Sequence, residues 1–98
     1  MEEKNSDLKL SIIVPFFNEQ DNIQELYSRL TRVLSELKLS YEIIFIDDGS
    51  IDKTYQVLLK IFEEDRRLSV IKLRKNFGQT SALQAGFDYA QGKIIISM

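Results

Sequence analysis

Two adjacent carboxylates, Asp47 and Asp48, followed by Gly49 and Ser50, stand directly after the apolar run Ile43-Ile44-Phe45-Ile46. Neighbouring carboxylates repel, and a turn needs only one, so keeping both points to a ligand-binding role. Two further stretches carry chemistry: Pro15-Phe16-Phe17-Asn18-Glu19 and Lys75-Asn76-Phe77-Gly78-Gln79. The three together offer carboxylates, an aromatic face, amides and a cation. That set suits a nucleotide, with an aromatic beside the base, a carboxylate accepting from a ring N–H or ribose hydroxyl, and positive groups for phosphate. Each stretch also has a plainer reading. Asp47 to Ser50 can be a strand-ending turn with a helix cap, Lys75 with Arg74 a solvated pair, and Gly78 a permissive backbone point. Phe16 and Phe17 cannot both enter a core from an extended backbone; one belongs to packing and the other to a site.

For these stretches to meet, the chain must bring them to one edge. Lys9 to Val14 reads as a first strand stopped by Pro15, and Tyr41 to Ile46 as a second with Asp47 at its tip. Leu68 to Leu73 is a third, and Lys93 to Met98 opens a fourth. Helical spacing joins them. Ile23, Leu26, Tyr27, Leu30, Val33, Leu34 and Leu37 form a stripe on a helix starting near Gln20, capped by Asn18 or Asp21. A second helix over Lys53–Glu64 would bury Tyr55, Leu58, Leu59, Ile61 and Phe62, with Ser50 or Asp52 as its cap. A third, capped by Thr80 or Ser81, carries Ala82, Leu83, Gly86, Phe87 and Ala90 on one side. The predicted order β-α-β-α-β-α-β is that of an α/β protein with right-handed crossovers, half of a doubly wound, Rossmann-like parallel sheet in strand order 3-2-1-4. All three polar stretches then follow the carboxyl ends of strands, where such sheets place ligands.

Composition narrows the chemistry. The chain has 98 residues, no cysteine and no histidine, and a net charge of −2. Thiolate chemistry and histidine-based acid–base mechanisms are excluded, and any metal would have only oxygen ligands. No basic field favours nucleic acid. No apolar run approaches the ~20 residues of a membrane span, and residues 1–7 read as a polar, disordered lead-in unlike a secretory signal, so the chain as given is expected to be cytoplasmic. Neither G-x-G-x-x-G after the first strand nor a P-loop motif is present.

Val14-Pro15-Phe16-Phe17-Asn18-Glu19, Ile46-Asp47-Asp48-Gly49-Ser50 and Lys75-Asn76-Phe77-Gly78-Gln79, with Ser81-Ala82 and Ala85-Gly86, occur in this order on that frame. The pattern resembles the N-terminal half of the family 2 inverting glycosyltransferases with the GT-A fold. It is most similar to the branch holding dolichol-phosphate mannose synthase and bacterial polyprenyl-phosphate glycosyltransferases, which serve cell-envelope glycan biosynthesis. The resemblance implies that residues 8–98 are the nucleotide-sugar-binding part of a longer enzyme, ending before the family's D-x-D motif. It implies transfer of a sugar from a UDP- or GDP-sugar to an acceptor, with polyprenyl phosphate favoured. Pro15 and Phe17 would line the base, Glu19 and Asp48 would hold the nucleoside, Asp47 and Ser50 would shape the turn, and Lys75 and Gly78 would belong to the third loop. Lys75 stands where the family usually has Arg, losing the bidentate fork toward phosphate.

The same resemblance places the catalytic base and the ligands for Mg²⁺ or Mn²⁺ beyond this chain, so no metal is expected on the 98 residues and no turnover by them alone. Membrane association would belong to the parent protein, with its catalytic domain on the cytoplasmic face. Self-association through an exposed fourth strand is a further expectation. Two alternatives compete: a non-catalytic nucleotide-binding or interaction fragment, and a receiver-type signalling domain, against which the acidic pair follows the second strand rather than the first.

Overall fold

The computed structural model describes residues 8–98; the predicted lead-in over residues 1–7 lies outside the described residues. Strands β1 (Leu10–Phe16), β2 (Tyr41–Asp47), β3 (Leu68–Lys72) and β4 (Ile94–Ser97) alternate with helices α1 (Ile23–Leu37), α2 (Thr54–Glu64) and α3 (Gln79–Tyr89). The strands form one parallel sheet in the order β3-β2-β1-β4, as the alternation predicts. Helices α1 and α2 cover one face and α3 the other, so β2 is enclosed on both sides. Ile43, Ile44, Phe45 and Ile46 are all 0% exposed, which explains why they read as a continuous apolar run and not as an alternating one.

Under α1 and α2, Ile12, Val14, Phe16, Ile43, Phe45 and Leu68 of the sheet pack with Leu58 of α2. The Phe16 and Phe45 rings meet edge-on with centroids 5.0 Å apart. Under α3, Ile13, Ile44 and Ile46 pack with Ala82 and Ala90. Here helix and sheet approach closely because Gly86 faces β1: a Cβ there would lie 2.4 Å from Ile13 Cγ2.

Pro15 does not end β1. It pairs with Ile46 in the ladder, and the strand continues to Phe16. Along β1, Phe16 accepts from Asp48 of the β2 segment, whereas Lys9 and Ile13 accept from Ile94 and Met98 on the opposite side. By this alternation the Pro15 nitrogen faces the β4 side beyond the last β4 pairing, where its missing N–H forfeits no ladder bond.

The helix starts also differ from expectation. α1 begins at Ile23, α2 at Thr54 and α3 at Gln79, and none has a side-chain cap from its own N-cap residue, so Asn18, Asp21, Thr80 and Ser81 do not cap them. Val33, Phe62 and Phe87, predicted to be buried, are 57%, 47% and 41% exposed. Each adjoins a buried residue (Leu34, Ile61 and Gly86) and is therefore turned about 100° away from the sheet. Leu37, in the last turn of α1, is likewise exposed.

At the opposite end of the sheet from the acidic pair, Asp65 gathers polar groups. Its Oδ2 accepts from the Tyr27 hydroxyl and its Oδ1 from the backbone N–H and Nε of Arg67. Arg67 in turn lies over the Tyr41 ring, 4.6 Å from its centroid. Burial opposes ionisation of Asp65, but these bonds outweigh it and hold the carboxyl below its usual range. Burial, followed by the bond to Asp65, pushes the Tyr27 hydroxyl up to about 12.

Candidate functional site

Three loops leave the carboxyl ends of β1, β2 and β3. Hydrogen bonds tie the first loop to the second and the second to the third. The first and second interlock through reciprocal bonds. Asn18 donates its backbone N–H to Ser50 Oγ and accepts from Ile51 N–H through Oδ1, at 2.9 and 3.0 Å. Glu19 N–H donates to Thr54 Oγ1, Gln20 N–H to Asp52 Oδ2, and Lys53 N–H to Gln20 Oε1. Asn18 sits at φ 52°, a left-handed angle that asparagine tolerates better than most residues. Asp52 also accepts from the Thr54 N–H and hydroxyl; desolvation opposes its ionisation, but these bonds and the one from Gln20 N–H outweigh it and hold the carboxyl below its usual range.

The acidic pair divides its work. Asp47 is fully buried, with Oδ1 accepting the Ser50 N–H at 3.0 Å and Oδ2 buried without a partner among the described residues. Asp48 is 3% exposed and faces the third loop. Its Oδ1 accepts the Phe77 N–H at 2.9 Å, and its Oδ2 accepts the Gly78 N–H and Asn76 Nδ2, both at 3.1 Å. Asn76 Nδ2 also donates to the Asp48 backbone oxygen at 3.1 Å. Gly49 makes that approach possible. At φ 73° it lies so near the third loop that a Cβ would stand 2.1 Å from the Lys75 carbonyl carbon and 2.2 Å from the Asn76 nitrogen. Positive φ and absence of a side chain are both required here.

Between the loops lies a cleft of about 350 Å³ lined by Pro15, Phe16, Phe17, Glu19, Asp48, Asn76, Gly78, Gln79 and Met98. Of the residues singled out in the sequence, Pro15, Phe17, Glu19, Asp48 and Gly78 meet there. Phe16 turns into the core and Phe17 remains 45% exposed at the cleft, the division that extended backbone imposes. Asp47 lies buried behind the turn, Ser50 joins the first two loops, and Lys75 is not among the lining residues. Its Nζ rests 5.1 Å from the centre of the Phe77 ring. Asn76 and Gln79 were legible as loop amides, but nothing in their spacing singles them out; Met98 carries no polar signal.

The lining can surround an apolar ring and accept hydrogen bonds from its edge. It does not form a metal centre: among the described residues no group of three or more carboxylates gathers. Asp48 is already engaged by N–H donors, and Asp47 is enclosed, so the pair offers no open carboxylate to a divalent ion. Among the described residues, no helix is long and apolar enough to cross a membrane.

The chain is similar to known proteins in sequence and in fold. A Synechocystis protein described as an uncharacterized glycosyltransferase is 46% identical over 89 residues, covering 91% of this chain and 28% of the relative. The undecaprenyl-phosphate 4-deoxy-4-formamido-L-arabinose transferase of Salmonella choleraesuis is 37% identical over 91 residues, covering 92% and 28%. The chain thus spans just over a quarter of the length of these curated relatives. Among solved structures, a Pyrobaculum calidifontis mannosyltransferase in complex with GDP-Man and Mn²⁺ superposes with a TM-score of 0.76 at 21% identity, over 95% of this chain and 27% of that one, which speaks to the fold. S. aureus TarS 1-349 in complex with UDP gives a TM-score of 0.71 at 26% identity, over 92% and 27%. The model of glycosyl transferase family 2 matches residues 11–98, from the second residue of β1 through the last described residue, and the chain belongs to that family.

Proposed function

We propose that this chain forms the nucleotide-sugar-binding part of an inverting glycosyltransferase that moves a sugar from a UDP- or GDP-sugar to a lipid phosphate of the polyprenyl type. The observation that carries the proposal is the cleft itself, where one exposed aromatic, Phe17, shares the lining with Glu19 of its own loop, Asp48 of the second loop and the amides of Asn76 and Gln79 from the third. The named specificity of the Salmonella relative for undecaprenyl phosphate supports the acceptor class. In this reading Pro15 and Phe17 flank the base and Glu19 accepts from the nucleoside. Asp48 stands near the base edge, Asp47 and Ser50 keep the turn in shape, and Gly78, at φ 101°, turns the third loop into α3 beside the cleft. Lys75 reaches the diphosphate by leaving the Phe77 ring. A divalent ion, Mg²⁺ or Mn²⁺, would neutralise the leaving diphosphate. The described residues supply no ligand set for it, and transfer takes place at the cytoplasmic face of a membrane that holds the acceptor.

Calorimetric titration of the 98-residue chain with UDP, GDP and their sugars tests the binding half. Binding of one diphosphate is expected, weakened about tenfold or more by Phe17→Ala, because base–aromatic stacking contributes ~1–3 kcal/mol. Absence of heat and of spectral perturbation with every nucleotide would refute the reading.

A further inference from the structure

Strand β4 lacks the means by which the other strands fix their register. Ile94 to Ser97 are all exposed, so neither face of the strand is held against a helix. Side chains specify register strongly only where one face is buried. A slip within Ile94-Ile95-Ile96 would merely exchange isoleucine for isoleucine. What holds the strand lies at its start. Glu42 and Ser11 are cross-strand partners on the side of the sheet that α3 covers. Glu42 Oε2 accepts the Ser11 hydroxyl at 2.5 Å and the Gln91 N–H at 2.7 Å, while Ser11 Oγ accepts the Gly92 N–H at 2.8 Å. Both backbone donors belong to the turn between α3 and β4, 49 and 81 residues from their acceptors in sequence. Gly92 is pressed so closely onto β1 that a Cβ would stand 2.6 Å from Ser11 Oγ and 2.7 Å from the Leu10 carbonyl carbon. At the far end of β4, Met98 donates its N–H to the Ile13 oxygen at 2.9 Å and lines the cleft.

We propose that Glu42, acting through Ser11, is a positioning residue of the cleft. It clamps the α3–β4 turn onto β1, sets the register of β4, and so fixes where Met98 stands in the cleft wall. The inference goes beyond the proposed function and holds whichever ligand the cleft takes. It gives a role to a carboxylate at the end of β2 opposite the acidic pair, on a patch of sheet otherwise covered by isoleucine and alanine. A slip of one residue would carry Met98 about 3.3 Å along β1, the rise of a parallel strand.

Amide exchange and methionine-methyl labelling of the 98-residue chain test this together. The sequence holds two methionines, Met1 and Met98, so the Met98 methyl signal reports on the cleft wall directly. Glu42→Ala removes the acceptor of both donors; Glu42→Gln leaves one oxygen in its place. In Glu42→Ala the Ile94 and Met98 amides should exchange at least about tenfold faster, the usual effect of losing bonds to a carboxylate, and the Met98 methyl signal should move. The Ile43 to Ile46 amides should keep their protection, and Glu42→Gln should recover most of the β4 protection. Unaltered exchange at Ile94 and Met98, or an unmoved Met98 methyl signal, overturns the inference. So does an equal loss of protection at Ile43 to Ile46, because Glu42 would then serve the stability of the whole fold and not the placement of β4. If circular dichroism shows that Glu42→Ala does not fold, Ser11→Ala decides, since it removes one donor to Glu42 and the acceptor of Gly92 without adding bulk. The same selective loss in β4 supports the clamp, and unchanged β4 protection overturns it.

Discussion

Gly49→Ala adds one methyl group to the second loop, and its consequences can be worked out atom by atom. The new Cβ would stand 2.1, 2.2 and 2.6 Å from the Lys75 carbonyl carbon, the Asn76 nitrogen and the Lys75 oxygen. All three belong to backbone, which cannot swing aside as a side-chain tip can. To reach ordinary contact the third loop must retreat by more than an ångström. The four bonds from residues 76–78 to Asp48, now 2.9–3.1 Å, would then all lie beyond hydrogen-bonding distance. Holding alanine at φ 73° costs a further ~1 kcal/mol. The total is limited by undocking, because a released loop no longer clashes and its groups reach water. We expect a loss of roughly 2–4 kcal/mol, since each bond to the carboxylate contributes ~1–2 kcal/mol net and part returns on solvation. Urea denaturation reads that loss. Amide exchange should show Phe77 and Gly78 deprotected while Ile43 to Ile46 stay protected. Gly78→Ala is the control: at φ 101° it carries backbone strain, but its Cβ would meet nothing within 4 Å, so the loop should stay docked. Gly49→Ala with unaltered stability and unaltered Phe77 protection would refute the reasoning.

Further outcomes concern pH and assembly. Because Asp65 ionises more readily folded than unfolded, its contribution is present above the usual carboxylate range near 3.8 and is lost as pH falls through its lower folded value. Asp65→Asn should flatten the acid limb of the denaturation curve, and an unchanged limb would remove Asp65 as its source. Tyr27, raised to about 12 from 10.0, stabilises the fold fully below pH 10 and loses that contribution as pH climbs toward 12. Tyr27→Phe should shrink the alkaline loss between those values. Strand β4 presents Ile94, Ile95 and Ile96, 55%, 37% and 43% exposed. This chain is accordingly expected to self-associate at high concentration, and Ile95→Lys to suppress it; monodisperse monomer by light scattering in the unaltered chain would count against the idea.

The topology was legible because each strand carries its own signature. Ile43 to Ile46 could be satisfied only by cover on both faces, and short alternating elements leave right-handed crossovers as the rule. Helix starts were not legible, and the loops explain why. Asn18 has the chemistry of a helix cap, but its Oδ1 serves Ile51, 33 residues away in sequence, whereas Asp52 does meet the first N–H of α2 through Oδ1 while its Oδ2 serves Gln20. Local preference gave way to partners that local sequence does not reveal. The site followed the same pattern. Adjacent acids marked Asp47 and Asp48, but their opposite surroundings depend on donors supplied 28–30 residues later for Asp48 and on the next turn for Asp47. An asparagine in a polar loop looks like any other until its amide is seen against a carboxylate.

The reciprocal bonds joining the first two loops bear on how such a site can change. Asn18 with Ser50 and Ile51, Glu19 with Thr54, and Gln20 with Asp52 and Lys53 form a lattice in which each loop supplies the other's donors and acceptors. A loop grafted alone from a relative of different donor preference arrives without its counterpart and leaves several polar groups unmatched. Residues 18–20 and 50–54 are therefore expected to be inherited as a linked block, and a chimaera that exchanges both together should fold where either exchange alone fails.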